Sequence, residues 1–179
     1  MEGQEYSFGV LTLSDKGSRG EREDTSGAML RELLAGAGYR LAAYEIIPDR
    51  QELIETTLKK WVDERKIDLV VTTGGTGVSP SDRTPEATRR VVEREVPGLA
   101  EAMRQASLEK TVQAVWSRGI AGIRNQSLII NLPGSRRAAR ENLEVVLPAL
   151  AHGLYKLKGG TADCGGTDHG AGNGKQEKA

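Results

Sequence analysis

The chain has 179 residues, 37% hydrophobic and 28% charged, a balance that suits one globular domain able to bury a core. Its 25 basic and 25 acidic side chains cancel and form no basic stripe, which argues against a nucleic-acid partner. No apolar run reaches membrane-spanning length, residues 1–5 lack a signal-peptide pattern, and the single cysteine, Cys164, rules out an internal disulfide framework, so a cytoplasmic enzyme is expected.

Residues 6–13 read as a first strand, and the polar, charged residues 14–23, with Gly17 and Gly20, as a loop. Asp24 or Thr25 caps a helix through Met29, Leu30, Leu33 and Leu34 that ends near Gly36 or Gly38. Residues 41–47 form a second strand, stopped by Pro48-Asp49. Leu53, Ile54, Leu58, Trp61 and Val62 then fall at helical spacing, which makes Trp61 a core residue or a subunit contact rather than a ligand platform.

Residues 67–72 are the third strand, running into Thr72-Thr73-Gly74-Gly75-Thr76-Gly77. A lone carboxylate, Asp82, follows, and Thr84-Pro85-Glu86 opens a helix with Thr84 as its cap. Val96-Pro97-Gly98 breaks that helix and another covers residues 99–108, while 114–124 has no clear pattern. Residues 127–131 form a buried strand that ends in Leu132-Pro133-Gly134-Ser135. Ser135 caps a last helix carrying Leu143, Val146, Leu147, Leu150, Leu154 and Leu157, with Pro148 placed to kink it. Residues 159–179 have no large apolar side chain and are expected to be a disordered tail after one domain, 1–158. Asp163, Cys164, Asp168 and His169 there match no structural zinc spacing.

Strands alternate with helices, which implies an α/β fold of three layers around a mostly parallel sheet. Parallel strands put their carboxyl ends on one edge, where open sheets bind ligands. That edge receives the loops at 14–24, 48–49, 74–82 and 133–135. Glycines in such a loop let backbone N–H groups face an anion. The spacing is Gly-Gly-x-Gly with no following Lys-Ser/Thr, so neither the P-loop nor the dinucleotide fingerprint fits.

The two histidines, His152 and His169, form no triad, so histidine base catalysis is not expected. The loops supply hydroxyls, N–H groups and carboxylates instead: Ser14, Asp24, Asp49, Thr76, Asp82 and Ser135. Carboxylates beside a phosphate repel it unless a cation intervenes, which points to Mg²⁺ with a nucleotide substrate and to phosphoryl or nucleotidyl transfer.

Several motifs in this order resemble the molybdopterin adenylyltransferases: Thr72-Thr73-Gly74-Gly75-Thr76-Gly77, Asp82-Arg83-Thr84-Pro85-Glu86-Ala87, Pro97-Gly98, Ser117-Arg118-Gly119-Ile120-Ala121-Gly122-Ile123-Arg124, and Leu128-Ile129-Ile130-Asn131-Leu132-Pro133-Gly134-Ser135. Leu13-Ser14-Asp15 and Ile47-Pro48-Asp49 also fit, and the plant cofactor G domain and the gephyrin N-terminal domain are similar over residues 6–158. The resemblance implies the molybdopterin-binding fold and transfer of AMP from Mg-ATP to molybdopterin, with ATP as substrate, Mg²⁺ as cofactor and pyrophosphate released. It implies Asp49 and Asp82 as catalytic, metal-holding residues. Gly74, Gly75, Thr76 and Gly77 would cradle the ligands, Ser14 and Asp24 belong to the first active-site loop, and Pro133, Gly134 and Ser135 help bind the pterin. A homotrimer and a molybdate-insertion enzyme as partner are implied as well. The alternative is a non-catalytic molybdopterin-binding or scaffold protein of this fold. Lys16, Arg19 and Arg22 make the first loop more charged than the resemblance leads one to expect and carry no assigned role.

Overall fold

The computed structural model describes residues 5–161 of the chain. Six strands form one sheet: β1 (Ser7–Leu13), β2 (Arg40–Ile47), β3 (Leu69–Thr73), β4 (Arg94–Glu95), β5 (Ala121–Arg124) and β6 (Ser127–Leu132). Their order is β2-β1-β3-β6-β5-β4. The four long strands run parallel, and β5 and β4 finish the edge antiparallel. The expected three-layer, mostly parallel architecture is therefore present. The unpatterned stretch 114–124 supplies a 3₁₀ turn (Val112–Trp116) and β5, while β4 falls where the sequence pattern continues the helix before Val96.

The helices are α1 (Asp15–Ser18), α2 (Thr25–Gly36), α3 (Gln51–Lys59), α4 (Thr84–Val91), α5 (Pro97–Leu108) and α6 (Arg136–Leu157). Alternate strand residues face opposite layers, as the pleat requires. Phe8, Val10, Leu69, Val71, Leu128 and Ile130 share a core with α2, α5 and α6 residues, including Leu30, Leu34, Met103, Leu143 and Leu150. Leu11, Leu13, Val70 and Ile129 pack with Ile54, Leu58, Ala87 and Val91 on the other face. Both strand faces are covered, which is why these segments read as apolar runs rather than alternations.

Two local expectations need correction. Residues 14–23 are not all loop, because Ser14 caps the one-turn α1. Thr84 is the first residue of α4 rather than its cap; its hydroxyl donates to the Gly74 carbonyl at 2.9 Å. The last helix runs as one element through Pro148. Helix α3 continues as a π turn (Lys60–Glu64) that carries Trp61 into the core. Trp61 is fully buried, and a Cβ on Gly9 would come within 2.8 Å of its ring, so it belongs to the core and is not available as a subunit contact.

At the amino-terminal edge of the sheet, buried Asp68 accepts from the Ser7 N–H (2.7 Å) and the Ser7 hydroxyl (2.8 Å) and pairs with Lys158. Gly159, at φ 87°, closes α6, with the N–H groups of Gly159 and Gly160 donating to Lys156 and Tyr155. The cysteine, carboxylates and histidine of residues 163–169 lie outside the described residues. Among the described residues no helix is long and apolar enough to cross a membrane.

Candidate active site

The carboxyl ends of β1, β2, β3 and β6 open onto one edge, and short hydrogen bonds fix the loops that leave them. The Ser14 N–H donates to Ile47 (2.9 Å), and the Thr73 hydroxyl to the Pro133 carbonyl (2.7 Å). The Ser26 hydroxyl, in the first turn of α2, donates to the Gly134 carbonyl (2.9 Å) and so ties α2 to the loop before α6. Beneath the glycine loop, buried Asn131 donates to the hydroxyls of Thr72 (3.0 Å) and Thr88 (2.9 Å). The hydroxyls of Thr72, Thr73 and Thr88 are therefore engaged in holding the loops and the strand beneath them.

These loops enclose a cleft of ≈ 460 Å³. Ser14, Asp24 and Ser135 line it, and all three are helix N-caps: Ser14 accepts from the Gly17 N–H, Asp24 from Gly27 and Ser135 from Ala138. The amino ends of the 12-residue α2 and the 22-residue α6 therefore both open on the cleft, and such ends favour anions. Asp24 is fully engaged within the protein. Besides the cap it accepts from the Thr12 (2.6 Å) and Tyr44 (2.7 Å) hydroxyls. Burial, and then the bond to Asp24, push the Tyr44 phenol up to about 12, so the phenol stays a neutral donor near neutrality.

The glycine loop turns sharply. Gly74 has φ 104° and Gly75 φ 62°, conformations that L side chains rarely adopt. A Cβ on Gly74 would collide with the Leu13 carbonyl, and one on Gly75 with the Thr84 hydroxyl and, at 2.8 Å, with Asp49 Oδ1. The Gly74 N–H donates to Leu132, whereas those of Gly75, Thr76 and Gly77 have no acceptor among the described residues.

Asp49 is the least satisfied group of this edge. It is half-buried against Gly75, and its Oδ1 is buried with no hydrogen-bond partner. Its backbone N–H donates to Asp15 Oδ1 at 3.2 Å, which brings a second carboxylate alongside. Burial first, then the charges of Asp15 and Asp82, push the Asp49 carboxyl up to about 6, with a backbone hydrogen bond from Asp15 opposing them. Asp82 Oδ2 accepts from the Ser79 N–H at 2.9 Å and lies over Gly77. Among the described residues no three metal-ligating side chains gather closely enough to cage an ion unaided. An orphan oxygen on a carboxylate that feels the charge of two others nonetheless fits a hard divalent cation whose remaining ligands are phosphate oxygens and water.

The sequence-derived residues divide between two hollows on either side of the glycine loop. Ser14, Asp24, Asp49, Gly74, Gly75, Gly134 and Ser135 line the cleft. Thr76, Gly77 and Pro133 line a second, less polar hollow of ≈ 280 Å³, walled also by Trp116, Ser117, Lys110 and Asn142. Asp82 walls neither but sits between them through Gly77 and its charge on Asp49. Sequence reasoning does not assign Asp15, although it stands in the quoted Leu13-Ser14-Asp15, nor Lys16 and Arg22, which both line the cleft. Arg19 instead pairs with Glu21 at 2.7 Å. Loop charges of one sign look alike in sequence, whereas the fold brings Lys16 and Arg22 to the cleft and pairs Arg19 with Glu21.

Residues 9–152 match the family described as "Probable molybdopterin binding domain". The chain is 48% identical over 153 residues to the molybdopterin adenylyltransferase of Helicobacter pylori strain J99, covering 83% of this chain and 86% of that protein. It is 41% identical to gephyrin of Dictyostelium discoideum, over 84% of this chain and 22% of that protein. Among solved structures, the molybdopterin biosynthesis enzyme MoaB from Thermus thermophilus is similar with a TM-score of 0.82 and 54% identity, over 86% of this chain and 97% of that one. The fold, the glycine loop with its two aspartates, and matches at this identity over most of the chain agree: this chain belongs to the molybdopterin-binding domain family of molybdenum cofactor biosynthesis.

Proposed function

We propose that the chain is a molybdopterin adenylyltransferase: it transfers AMP from ATP to the terminal phosphate of molybdopterin, giving adenylyl-molybdopterin and pyrophosphate. The observation that carries this reading is Asp49, with an unpartnered buried oxygen against the glycine loop and the charges of two further carboxylates raising its pKa. Such a cluster is unfavourable in the free protein and becomes favourable only with a cation and a polyanion in place. A non-catalytic scaffold has no use for it.

Mg²⁺ is the cofactor of this proposal; Asp49 and Asp82 would hold it, and it would neutralise charge on the triphosphate. The protein's own groups do the rest. The nucleotide lies in the cleft, with its phosphates toward Gly75, Ser14 and the amino end of α2. The pterin lies in the less polar hollow beside Thr76, Gly77 and Pro133. The two substrates then meet across the glycine loop. The molybdopterin phosphate is mostly ionised at neutral pH, so an oxygen of it attacks the α-phosphorus while the bond to the β-phosphate oxygen breaks. No protein nucleophile or strong base is required, and positioning with charge stabilisation supplies the rate. Trp61 being buried, assembly into the homotrimer implied by the resemblance would draw on other exposed apolar side chains, such as Leu108, Val112, Val115 and Trp116. The product would pass to a molybdate-insertion enzyme.

The test is incubation of the full chain with molybdopterin and Mg-ATP while following pyrophosphate and adenylylated product. Pyrophosphate release that depends on molybdopterin supports the reading. Tight molybdopterin binding with no product would establish the scaffold instead.

A further inference from the structure

A single side chain outside the glycine loop holds the loop that carries Asp82. Residues 77–82 are fastened to one another by only two bonds to the backbone, Ser79 N–H to Asp82 Oδ2 and Asp82 N–H to the Ser79 carbonyl, both at 2.9 Å. A hydroxyl contact between Ser79 and Ser81 at 3.0 Å adds little at the surface. Arg118, on the segment between the 3₁₀ turn and β5, reaches across. Its backbone N–H donates to the Thr76 carbonyl at 2.9 Å. Its Nε donates to the Gly77 carbonyl at 2.6 Å and its Nη2 to the Asp82 carbonyl at 2.9 Å. Its Nη1 donates to the Glu86 carboxylate in the first turn of α4. Among the described residues no other side chain from elsewhere in the chain bonds to 77–82.

The pattern is specific to a guanidinium. Two of its edges grip backbone carbonyls at both ends of the turn, and a third is anchored on α4. A flat fork with fixed donor directions can do this, and a lysine ammonium on a flexible stem cannot. The Arg118 side chain is 35% exposed, so its task is not to fill the core. On residues 77–82 the groups it grips are backbone carbonyls, and its carboxylate partner is Glu86 rather than Asp82, so it fixes where the Asp82 carboxylate stands without pairing with it.

We infer that Arg118 is a positioning residue for adenylyl transfer, acting through Asp82 by clamping Gly77 and Asp82 to the start of α4. The inference rests on the proposed function, in which Asp82 would hold the cation that neutralises the reacting phosphates. It adds a residue that does not itself touch them. A misplacement of about 1 Å at such a group costs on the order of 100-fold in rate.

A mutant cycle on the full chain tests it, using Arg118→Ala, Asp82→Asn and the double variant, with turnover measured under saturating Mg-ATP and molybdopterin. Arg118→Ala is expected to lower kcat by about 100-fold, with the KM for Mg-ATP changed by no more than about threefold. The double variant is expected to be no slower than Asp82→Asn alone, because a clamp has nothing to place once the charge is gone. Added guanidinium should restore part of the turnover of Arg118→Ala and none of the double variant. Where Arg118→Ala does not fold, as judged by its melting curve, Arg118→Lys keeps length and charge without the fork and carries the same cycle. Losses that multiply in the double variant, or Arg118→Lys with wild-type kcat, overturn the inference and leave the proposed function standing. Asp82→Asn with wild-type turnover overturns both, while a wild-type protein that forms no adenylylated product overturns the proposed function first.

Discussion

Two aspartates at opposite edges of the same sheet show how position decides what a carboxylate is for. Asp68 sits just before β3 and Asp49 just after β2. Asp68 is buried but fully served by both Ser7 donors and Lys158. Burial alone would raise its carboxyl, yet the Lys158 and Ser7 bonds outweigh burial and hold it below the usual range. Asp49 has an orphan oxygen and feels two like charges, and its carboxyl is pushed up to about 6. One carboxylate is at rest in the folded chain and the other is left waiting for a ligand. Strain concentrated in one place while its surroundings are satisfied is a mark of a functional site.

The sharpest way to break this comparison is to remove each charge. Asp49→Asn should lower turnover by about 100–1,000-fold, the usual cost of losing one stabilising group at developing charge. It should also raise Tm by a few degrees, because a buried charge without a partner is relieved. Wild-type turnover, or a Tm that falls, would end the reading of Asp49. Gly75→Val, by contrast, would not test the ligand cradle cleanly. Its new side chain meets Thr84 and Asp49 themselves, at a φ of 62° that valine avoids, so fold and site would fail together.

Asp68→Asn should do the reverse. It leaves Lys158 without its counter-charge and one donor poorly met, at a cost of about 1–3 kcal/mol, so Tm should drop by several degrees. Turnover measured well below the transition should stay close to wild type. A variant that loses activity in proportion to no loss of Tm would show that the two edges are coupled.

The pH dependence of stability should separate the pair by sign. For Asp49 the folded pKa lies above the unfolded one, so the native state binds the extra proton and stability falls as pH rises from about 4 to 6. The penalty is then full at neutral pH, and the Tm advantage of Asp49→Asn should vanish toward pH 4. For Asp68 the folded pKa is depressed. Its contribution is complete above the ordinary carboxylate range and is lost as pH falls through its folded pKa. Melting curves of wild type and both variants across this range check both slopes.

A smaller effect concerns the charges around the cleft. Lys16 and Arg22 line it and join no ion pair among the described residues, while Arg19 is held by Glu21. Lys16→Gln and Arg22→Gln should each raise the KM for Mg-ATP about fivefold, the scale of one exposed charge contact, with kcat nearly constant. Arg19→Gln should change neither. Equal effects from all three would mean that only the net charge of the loop matters.

The legible part of this chain is what periodicity and punctuation control. Apolar runs mark β1, β2, β3 and β6, capping residues with helical spacing mark α2 and α6, and helical spacing alone marks α3. The glycine loop is readable because its glycines sit where only positive φ or close backbone contact is possible. What escapes depends on contacts made at long range. Two-residue β4 has no pattern of its own and exists because β5 lies beside it. Thr84 looks like a cap, but its hydroxyl serves Gly74 ten residues earlier in the chain. Asp15 acquires its place from the Asp49 N–H, 34 residues away, and Arg118 from carbonyls 36 and 41 positions away.

The smallest expected effect marks where the domain stops. Composition makes the Gly-rich segment after Lys158 look dispensable, but Gly159 and Gly160 cap α6, and Lys158 holds Asp68. A chain ending after Thr161 keeps both features and should match the full chain in Tm and turnover, since residues 162–179 offer no large apolar group to offset the entropy of ordering them. A chain ending after Leu157 removes the cap and the cation together. Its Tm should fall in the direction of Asp68→Asn, and combining the two changes should cost less than the sum of each, because they share one ion pair. Circular-dichroism melts of the two truncations, with and without Asp68→Asn, decide it. Should the chain ending after Thr161 lose several degrees, the segment beyond it contributes to the fold; should the chain ending after Leu157 lose none, Lys158 is not what keeps Asp68 at rest.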